Sequence, residues 1–201
     1  MITKWSVSNF KSIANEVELI IAPLTILAGA NSSGKSTILQ SLLLVSQTLS
    51  NKVNSRSVVL NGHVVKLGQF DDLRSASISS DQITIGWELQ PKVVDGRKSM
   101  SDLRYALSND KLVSVSGKLA FDASPEGPQR DEYQLHPQLL AFELSAITRD
   151  EENIDQRSTI SCLRNTDAIG KSNQLQIDNI ENDVARESLN YDVSLDDDSF
   201  A

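Results

Sequence analysis

Residues 29–36 have the types and the spacing of a loop that binds phosphate groups. Glycines at Gly29 and Gly34 allow the backbone to wrap so that successive N–H groups point at a phosphate. Lys35 brings a positive charge to the β- and γ-phosphates, and the Ser36 hydroxyl is placed to ligate Mg²⁺. The pattern predicts a P-loop for a nucleoside triphosphate, with ATP and Mg²⁺ as ligands. The predicted ligand-contacting residues are Gly29, Asn31, Ser32, Ser33, Gly34, Lys35, Ser36 and Thr37.

The segments on either side of this loop favour the same interpretation. Residues 24–28 form a short apolar, β-prone run, which predicts a buried strand that ends at the loop. From about Lys35 to Leu49 the sequence is strongly apolar, which predicts a helix packed on a sheet face. The N-terminus of this helix adds its positive dipole end to the anion site, and Thr37 in its first turn is expected to reach the α-phosphate. The alternative is a turn rich in glycine and serine that contains an unrelated lysine, and it leaves the strand and the helix unexplained.

Two further strands are predicted before the loop, at residues 2–7 and 16–21, with a turn at residues 9–12 between them. The order strand, turn, strand, strand, P-loop, helix resembles the ABC-type ATPases of the RecF, SMC and OLD group. Their members begin with a strand, an Asn-Phe-Lys/Arg-Ser turn and a second strand before the loop. The matching residues are Asn9, Phe10, Lys11, Ser12, Gly29, Asn31, Ser33, Gly34, Lys35 and Ser36.

Residues 58–73 extend this resemblance to prokaryotic OLD-like ATPases of the AAA type, including anti-phage defence ATPases such as Septu. In all, the resemblance covers about residues 1–75. It implies that Lys11 and Ser12 lie near the nucleotide, although a solvated surface position for Lys11 is an equal alternative. Phe10 in the same turn is expected to lie in the core. It also makes Gln69 a candidate for the Q-loop glutamine that senses Mg²⁺ and the γ-phosphate.

Other features of an ATPase of this group are missing from the sequence. Such an ATPase needs a Walker B strand, which is an apolar run followed by Asp and Glu, and a Ser-Gly-Gly signature supplied by a second head. No Ser-Gly-Gly occurs, and residues 139–143 are the nearest approach to an apolar run ending in a carboxylate. Asp71 and Asp72 are expected to cap a turn or helix rather than to bind metal.

Two explanations compete for these missing motifs: an N-terminal portion of a longer ATPase, which we expect, or a complete protein with a degenerate site. In the first case the chain binds nucleotide but does not hydrolyse it efficiently. Phosphoryl transfer depends on several converging groups, and only part of them is visible in the sequence.

Composition and charge narrow the remaining possibilities. The net charge is −8, yet residues 1–75 carry seven Lys and Arg against four Asp and Glu, so the acidic excess lies in residues 76–201. A mildly basic first part suits an anionic ligand, whereas the acidic part is not expected to grip DNA by itself. One cysteine allows no internal disulfide, and neither a signal peptide nor an apolar run of the roughly 20 residues that a membrane helix needs is found. We expect a cytoplasmic protein without a membrane partner.

The fold predicted from these patterns is α/β, with a P-loop NTPase core like the N-terminal part of an ABC-ATPase head over residues 1–75. Alternating segments such as 82–89, 103–107 and 112–121 predict an antiparallel β-subdomain over residues 76–148. Residues 149–201 are polar and acidic and are expected to be an incomplete domain, partly loop or disordered.

The leading hypothesis is the ATP-binding N-terminal part of a RecF/OLD-like ATPase that controls a DNA-directed activity, in DNA repair or anti-phage defence. The expected partners are a second copy joined through the ATPase heads, a nuclease effector domain or subunit, and DNA through the full assembly. The main alternative is a non-hydrolysing nucleotide-binding scaffold that assembles with a nuclease or another effector. A P-loop phosphotransferase for a small molecule is less favoured, because no lid-like Arg cluster follows the loop.

Overall fold

The computed structural model describes residues 1–50, 58–78, 82–94, 97–99, 112–122, 135–149, 154–164, 172–181 and 184–194. The strands in these ranges are β1 (Ile2–Ser8), β2 (Val17–Ile20), β3 (Ile83–Leu89), β4 (Lys92–Val94), β5 (Arg97–Ser99), β6 (Leu112–Asp122), β7 (Gln138–Arg149), β8 (Asp155–Arg164), β9 (Ser172–Glu181) and β10 (Val184–Ser194). The helix α1 spans Lys35–Leu49, and a short 3₁₀ turn spans Phe70–Asp72. Residues 103–107, predicted as part of the β-subdomain, lie outside the described residues.

Eight of the strands form one antiparallel sheet in the order β10-β9-β8-β7-β6-β3-β1-β2, and β4 and β5 form a separate hairpin. The alternation of apolar and polar residues in β3 fits this arrangement, since Ile83 and Ile85 are buried and Thr84 between them is half-buried. β6 has buried residues on both of its faces, among them Val115 and Ser114. β3 pairs with β1, so the sheet runs without interruption from the N-terminal strands into the segment expected as a subdomain. Strands β8, β9 and β10 continue it through residues expected to be partly loop.

The core lies between α1 and the face of the sheet formed by β1, β3 and β6. Its buried residues from these elements are Trp5, Val7, Leu44, Val45, Ile83, Ile85 and Phe121, and residues 58–73 add Val58, Leu60, Leu67, Phe70 and Leu73. Each large side chain taken out of water contributes about 1.5–3 kcal/mol to folding. The Trp5 indole also donates a hydrogen bond to Ser41 Oγ over 2.9 Å, which fixes α1 against β1.

The predicted strand before the P-loop is wrong for the structure as described. Residues 24–28 are extended but belong to no strand, and Leu24 and Ile26 are 79% and 78% exposed. The apolar alternation favours a β conformation, but a strand forms only where a neighbour supplies hydrogen bonds, and none of the described strands pairs with this segment.

The described ranges contain the helix and the antiparallel strands of the predicted fold but no pair of parallel strands. They contain an antiparallel sheet with a single α-helix packed on it. The α/β class, which requires parallel strands, stays a prediction. No helix in these ranges combines the length and the apolar character that crossing a membrane requires.

Candidate phosphate-binding site

The loop from Gly29 to Ser36 adopts backbone conformations that depend on its glycines. Gly29 has φ 152° and Gly34 has φ 88°. The left-handed region costs a residue with a side chain about 1–2 kcal/mol, and glycine enters it freely. Gly34 is also the N-cap of α1 and offers no side chain to cap the helix, so the first N–H groups of α1 are left for another partner.

The ammonium group of Lys35 lies on the loop itself. Lys35 Nζ donates hydrogen bonds to the Gly29 carbonyl over 2.9 Å, to the Ala30 carbonyl over 2.5 Å and to Ser33 Oγ over 3.2 Å. These three contacts use all three donors of the side chain. The lysine thus ties the start of the loop to the first turn of the helix and places a positive charge at the loop.

The start of α1 is electrostatically suited to an anion. Its first turn contains no acidic residue, so nothing in that turn neutralises the positive end of the helix dipole. Ser36 is exposed there, whereas Thr37 is only 7% exposed and faces the protein. Among the predicted contacts in this turn, the Ser36 hydroxyl is thus open to solvent and the Thr37 hydroxyl is not.

The turn at residues 9–12 contacts the P-loop helix. Ser12 Oγ and Thr37 Oγ1 are hydrogen-bonded at 2.9 Å. Phe10 is fully buried, which confirms its predicted place in the core. Lys11 is half-buried and its backbone N–H donates to the Leu73 carbonyl over 2.5 Å, while contact between its side chain and a nucleotide stays a prediction.

Gln69 lies just before the 3₁₀ turn and is exposed. Its backbone N–H donates to Asp72 Oδ2 over 2.9 Å, which confirms the predicted capping role of Asp72. Asp71 instead pairs with Arg74 at 2.9 Å on the surface. The structure connects this turn to residues 9–12 through Leu73, and the role of Gln69 at a metal stays a prediction.

Two buried amides hold these elements together through hydrogen bonds that the sequence did not predict. Gln47, near the end of α1, accepts hydrogen bonds from the backbone of Val64 and Val65 and donates one to the Val59 carbonyl. Asn9 accepts from the backbone of Ser75 and donates to the Gln82 carbonyl. Helical spacing was the sequence signal that Gln47 is buried, since it lies three positions after Leu44 on the helix face that also contains Thr37 and Ser41.

The residues present fit a triphosphate with a divalent cation. Within the described residues no group of three or more His, Cys, Asp and Glu side chains could hold a metal alone. A cation at this loop would therefore rely on a hydroxyl oxygen such as that of Ser36 together with phosphate oxygens. Such a site suits Mg²⁺, which takes few protein ligands and fills its octahedron with phosphate oxygens and water, and a P-loop serine hydroxyl is one of the ligands it accepts.

The nearest candidate for a Walker B strand does not take that place. Residues 139–143 lie inside β7, which is paired with β6 on one side and β8 on the other, antiparallel to both. Residues 139–143 thus lie between two antiparallel strands of the large sheet and not beside residues 24–28, which lead into the P-loop.

A family model described as an AAA ATPase domain matches residues 1–199. Neither the curated proteins nor the solved structures gave a match to the chain.

Proposed function

Because the chain belongs to the AAA ATPase domain family, we propose that it binds ATP with Mg²⁺ through residues 29–37. One observation carries the proposal: the Lys35 ammonium is held on a loop whose two glycines adopt positive φ angles, directly before the unsatisfied N-terminus of a helix. In this arrangement the backbone N–H groups of the loop and of the first turn of α1 bind the phosphate oxygens. Lys35 places its positive charge at the β- and γ-phosphates, and the Ser36 hydroxyl is the protein ligand for Mg²⁺.

At the finer level, we infer a RecF/OLD-like ATPase head that controls a DNA-directed activity in repair or anti-phage defence. The support is the Asn-Phe-Lys-Ser turn at residues 9–12 and its contact with the P-loop helix at Thr37. Bound ATP would favour pairing with a second copy through the heads, and a nuclease effector would read that state. DNA contact belongs to the assembly, because residues 76–201 carry the acidic excess.

A second candidate is ATP-dependent assembly without turnover. It is favoured by the absence of a Ser-Gly-Gly signature from the sequence and by the position of residues 139–143 within the antiparallel strand β7. In that case bound ATP stabilises a complex and is released unchanged.

Titration of the chain with MgATP in a calorimeter tests the binding proposal. Lys35→Ala removes a charged hydrogen-bond donor, worth about 1.5–3 kcal/mol, so the dissociation constant should rise about 10- to 150-fold. Lys118→Ala is the matched control, since Lys118 is an exposed lysine on β6. Equal MgATP affinity of the Lys35→Ala variant and the unaltered chain would refute the proposed site.

The two candidates separate in a second experiment. Phosphate release is measured alongside sedimentation velocity, with and without MgATP. An ATP-dependent shift to a dimer with phosphate release supports the ATPase head, and the same shift without release supports the scaffold. If ATP changes neither quantity, pairing of heads by this chain is excluded under those conditions.

A further inference from the structure

Ser12 reaches from the turn between β1 and β2 to the P-loop. Its Oγ is hydrogen-bonded to Thr37 Oγ1 at 2.9 Å, although the two residues are 25 positions apart in sequence. The same oxygen lies 3.4 Å from the place that a Cβ on Gly34 would occupy. Ser12 therefore contacts the first turn of the helix and lies beside the last glycine of the loop.

Thr37 occupies a position where its orientation matters for an anion. The first backbone hydrogen bond of α1 runs from the Ile38 N–H to the Gly34 carbonyl over 3.1 Å. Thr37 precedes this bond, so its N–H is one of the orphan donors at the helix N-terminus. A threonine in a helix divides between two χ1 rotamers, because its hydroxyl can bond back to the preceding turn. The bond to Ser12 selects one arrangement of this buried side chain.

The turn that presents Ser12 is held in a strained conformation by several contacts. Asn9 and Lys11 have φ angles of 54° and 53°, in the left-handed region that side chains disfavour. The Lys11 N–H bonds the Leu73 carbonyl, and the Asn9 side chain bonds the Ser75 N–H over 3.0 Å. Strain of this kind persists where the surroundings over-determine it, and it is concentrated at functional sites.

We propose that Ser12 is a positioning residue for the phosphate site that acts through Thr37. It fixes the first turn of α1 so that the N–H groups of that turn meet the triphosphate in one arrangement. This inference rests on the proposed function, and it replaces direct nucleotide contact by Ser12, which the resemblance implied, with an indirect role.

A double-mutant cycle on the whole chain tests the proposal, with MgATP affinity as the readout. S12A should weaken MgATP binding about 3- to 10-fold, and S12T, which keeps the hydroxyl, should stay within about twofold of the unaltered chain. T37V should lose a similar factor, and the S12A/T37V double variant should be no weaker than T37V alone. Multiplication of the two single effects would instead mean that Ser12 acts independently of Thr37, which overturns the proposal.

The controls separate a local role from a general loss of stability and from failure of the site itself. S145A removes a bond of the same type, since Ser145 Oγ and Thr159 Oγ1 lie 2.7 Å apart between β7 and β8, and it should leave MgATP affinity unchanged. If S145A weakens binding as much as S12A, the effect of S12A is one of stability and the inference fails. If the unaltered chain does not bind MgATP, the proposed function fails. If it binds MgATP and S12A binds equally well, only the role of Ser12 is refuted.

Discussion

Replacement of the buried residue Gln47 should strongly lower the stability of the protein. Its side chain is 2% exposed, in the last turns of the P-loop helix. Nε2 donates to the Val59 carbonyl over 2.8 Å, and Oε1 accepts from the Val64 and Val65 N–H groups over 3.0 and 2.9 Å. One amide thus satisfies three backbone groups of residues 59–65.

The size of the effect of Gln47→Ala follows from these contacts. Each buried backbone group that loses its partner costs about 1–3 kcal/mol, and water that enters the space recovers part of this. The amide also fills the space beside Gly62, where a Cβ would overlap it. We expect the free energy of unfolding to fall by about 3–5 kcal/mol, a large share of the roughly 5–15 kcal/mol typical of a domain.

Urea denaturation followed by tryptophan fluorescence measures this change, because Trp5 and Trp87 stack with their ring centroids 6.2 Å apart and Trp5 is buried in the core. Gln40→Ala is the matched control, since Gln40 lies half-buried in the same helix and the change in helix propensity is identical. The reasoning is refuted if the Gln47→Ala and Gln40→Ala variants unfold at the same urea concentration with the same slope.

Three further substitutions test separate parts of the structure. Gly34→Ala forces a side chain into φ 88° and against Ser12. MgATP affinity should therefore fall at least about tenfold, and the free energy of unfolding should fall by about 1–2 kcal/mol. Calorimetric titration measures the first change and thermal melting the second. Lys11→Gly relieves the backbone strain at φ 53° and should raise the free energy of unfolding, measured by urea denaturation, by up to about 1 kcal/mol. If MgATP affinity falls at the same time, the Lys11 side chain contacts the phosphates, and if the affinity is unchanged, the side chain lies in solvent. The hydrogen bond from Arg149 lowers the pKa of Asp155 below its ordinary value of 3.8, so the ion pair stabilises the fold above pH 3.8 and is lost as the pH falls through the lowered pKa. The difference in melting temperature between the unaltered chain and Asp155→Asn should therefore disappear only below pH 3.8, and a difference that is constant down to pH 2 would contradict the role of the pair.

The local elements of the fold were predictable from the sequence because their signals are local. α1 begins at Lys35 and ends at Leu49 as predicted, since Gly34 marks its start and the apolar run fixes its length. β1 and β2 agree with their predicted ranges to within one residue at every end. Burial of Phe10 and capping by Asp72 also follow from patterns a few residues long.

The long-range links could not be predicted, because they depend on which segments meet. Residues 24–28 have the composition of a buried strand, yet burial and pairing need a neighbour that no local pattern specifies. The contact between Ser12 and Thr37 and the buried roles of Asn9 and Gln47 likewise join positions that the sequence separates by 12 to 73 residues. Resemblance to known ATPases indicated that residues 9–12 matter, but not that Ser12 works through the helix.

The two arms of the P-loop, one on the side of α1 and the other on the side of residues 24–30, are held by different contacts. Lys35 therefore stabilises the loop in addition to carrying its positive charge. On the helix side, Thr37 is hydrogen-bonded to Ser12, which lies beside Gly34, and α1 is packed into the core. On the other side, residues 24–28 pair with no described strand, so the bonds from Lys35 Nζ to the Gly29 and Ala30 carbonyls tie that arm to the helix.

Binding of a phosphate oxygen by the ammonium requires one of its three present contacts to be exchanged, because it has only three donors. The bond to Ser33 Oγ is the longest, at 3.2 Å, and its acceptor is a hydroxyl that can turn to water. We therefore expect the two carbonyl bonds of Lys35 to persist in the complex and the hydroxyl bond to be replaced. Removing Lys35 then deletes both the charge that meets the phosphate and the tie that shapes the loop, whereas removing the Ser12 hydroxyl disturbs only the helix side. For this reason the Lys35 variant should lose more affinity than any substitution at Ser12.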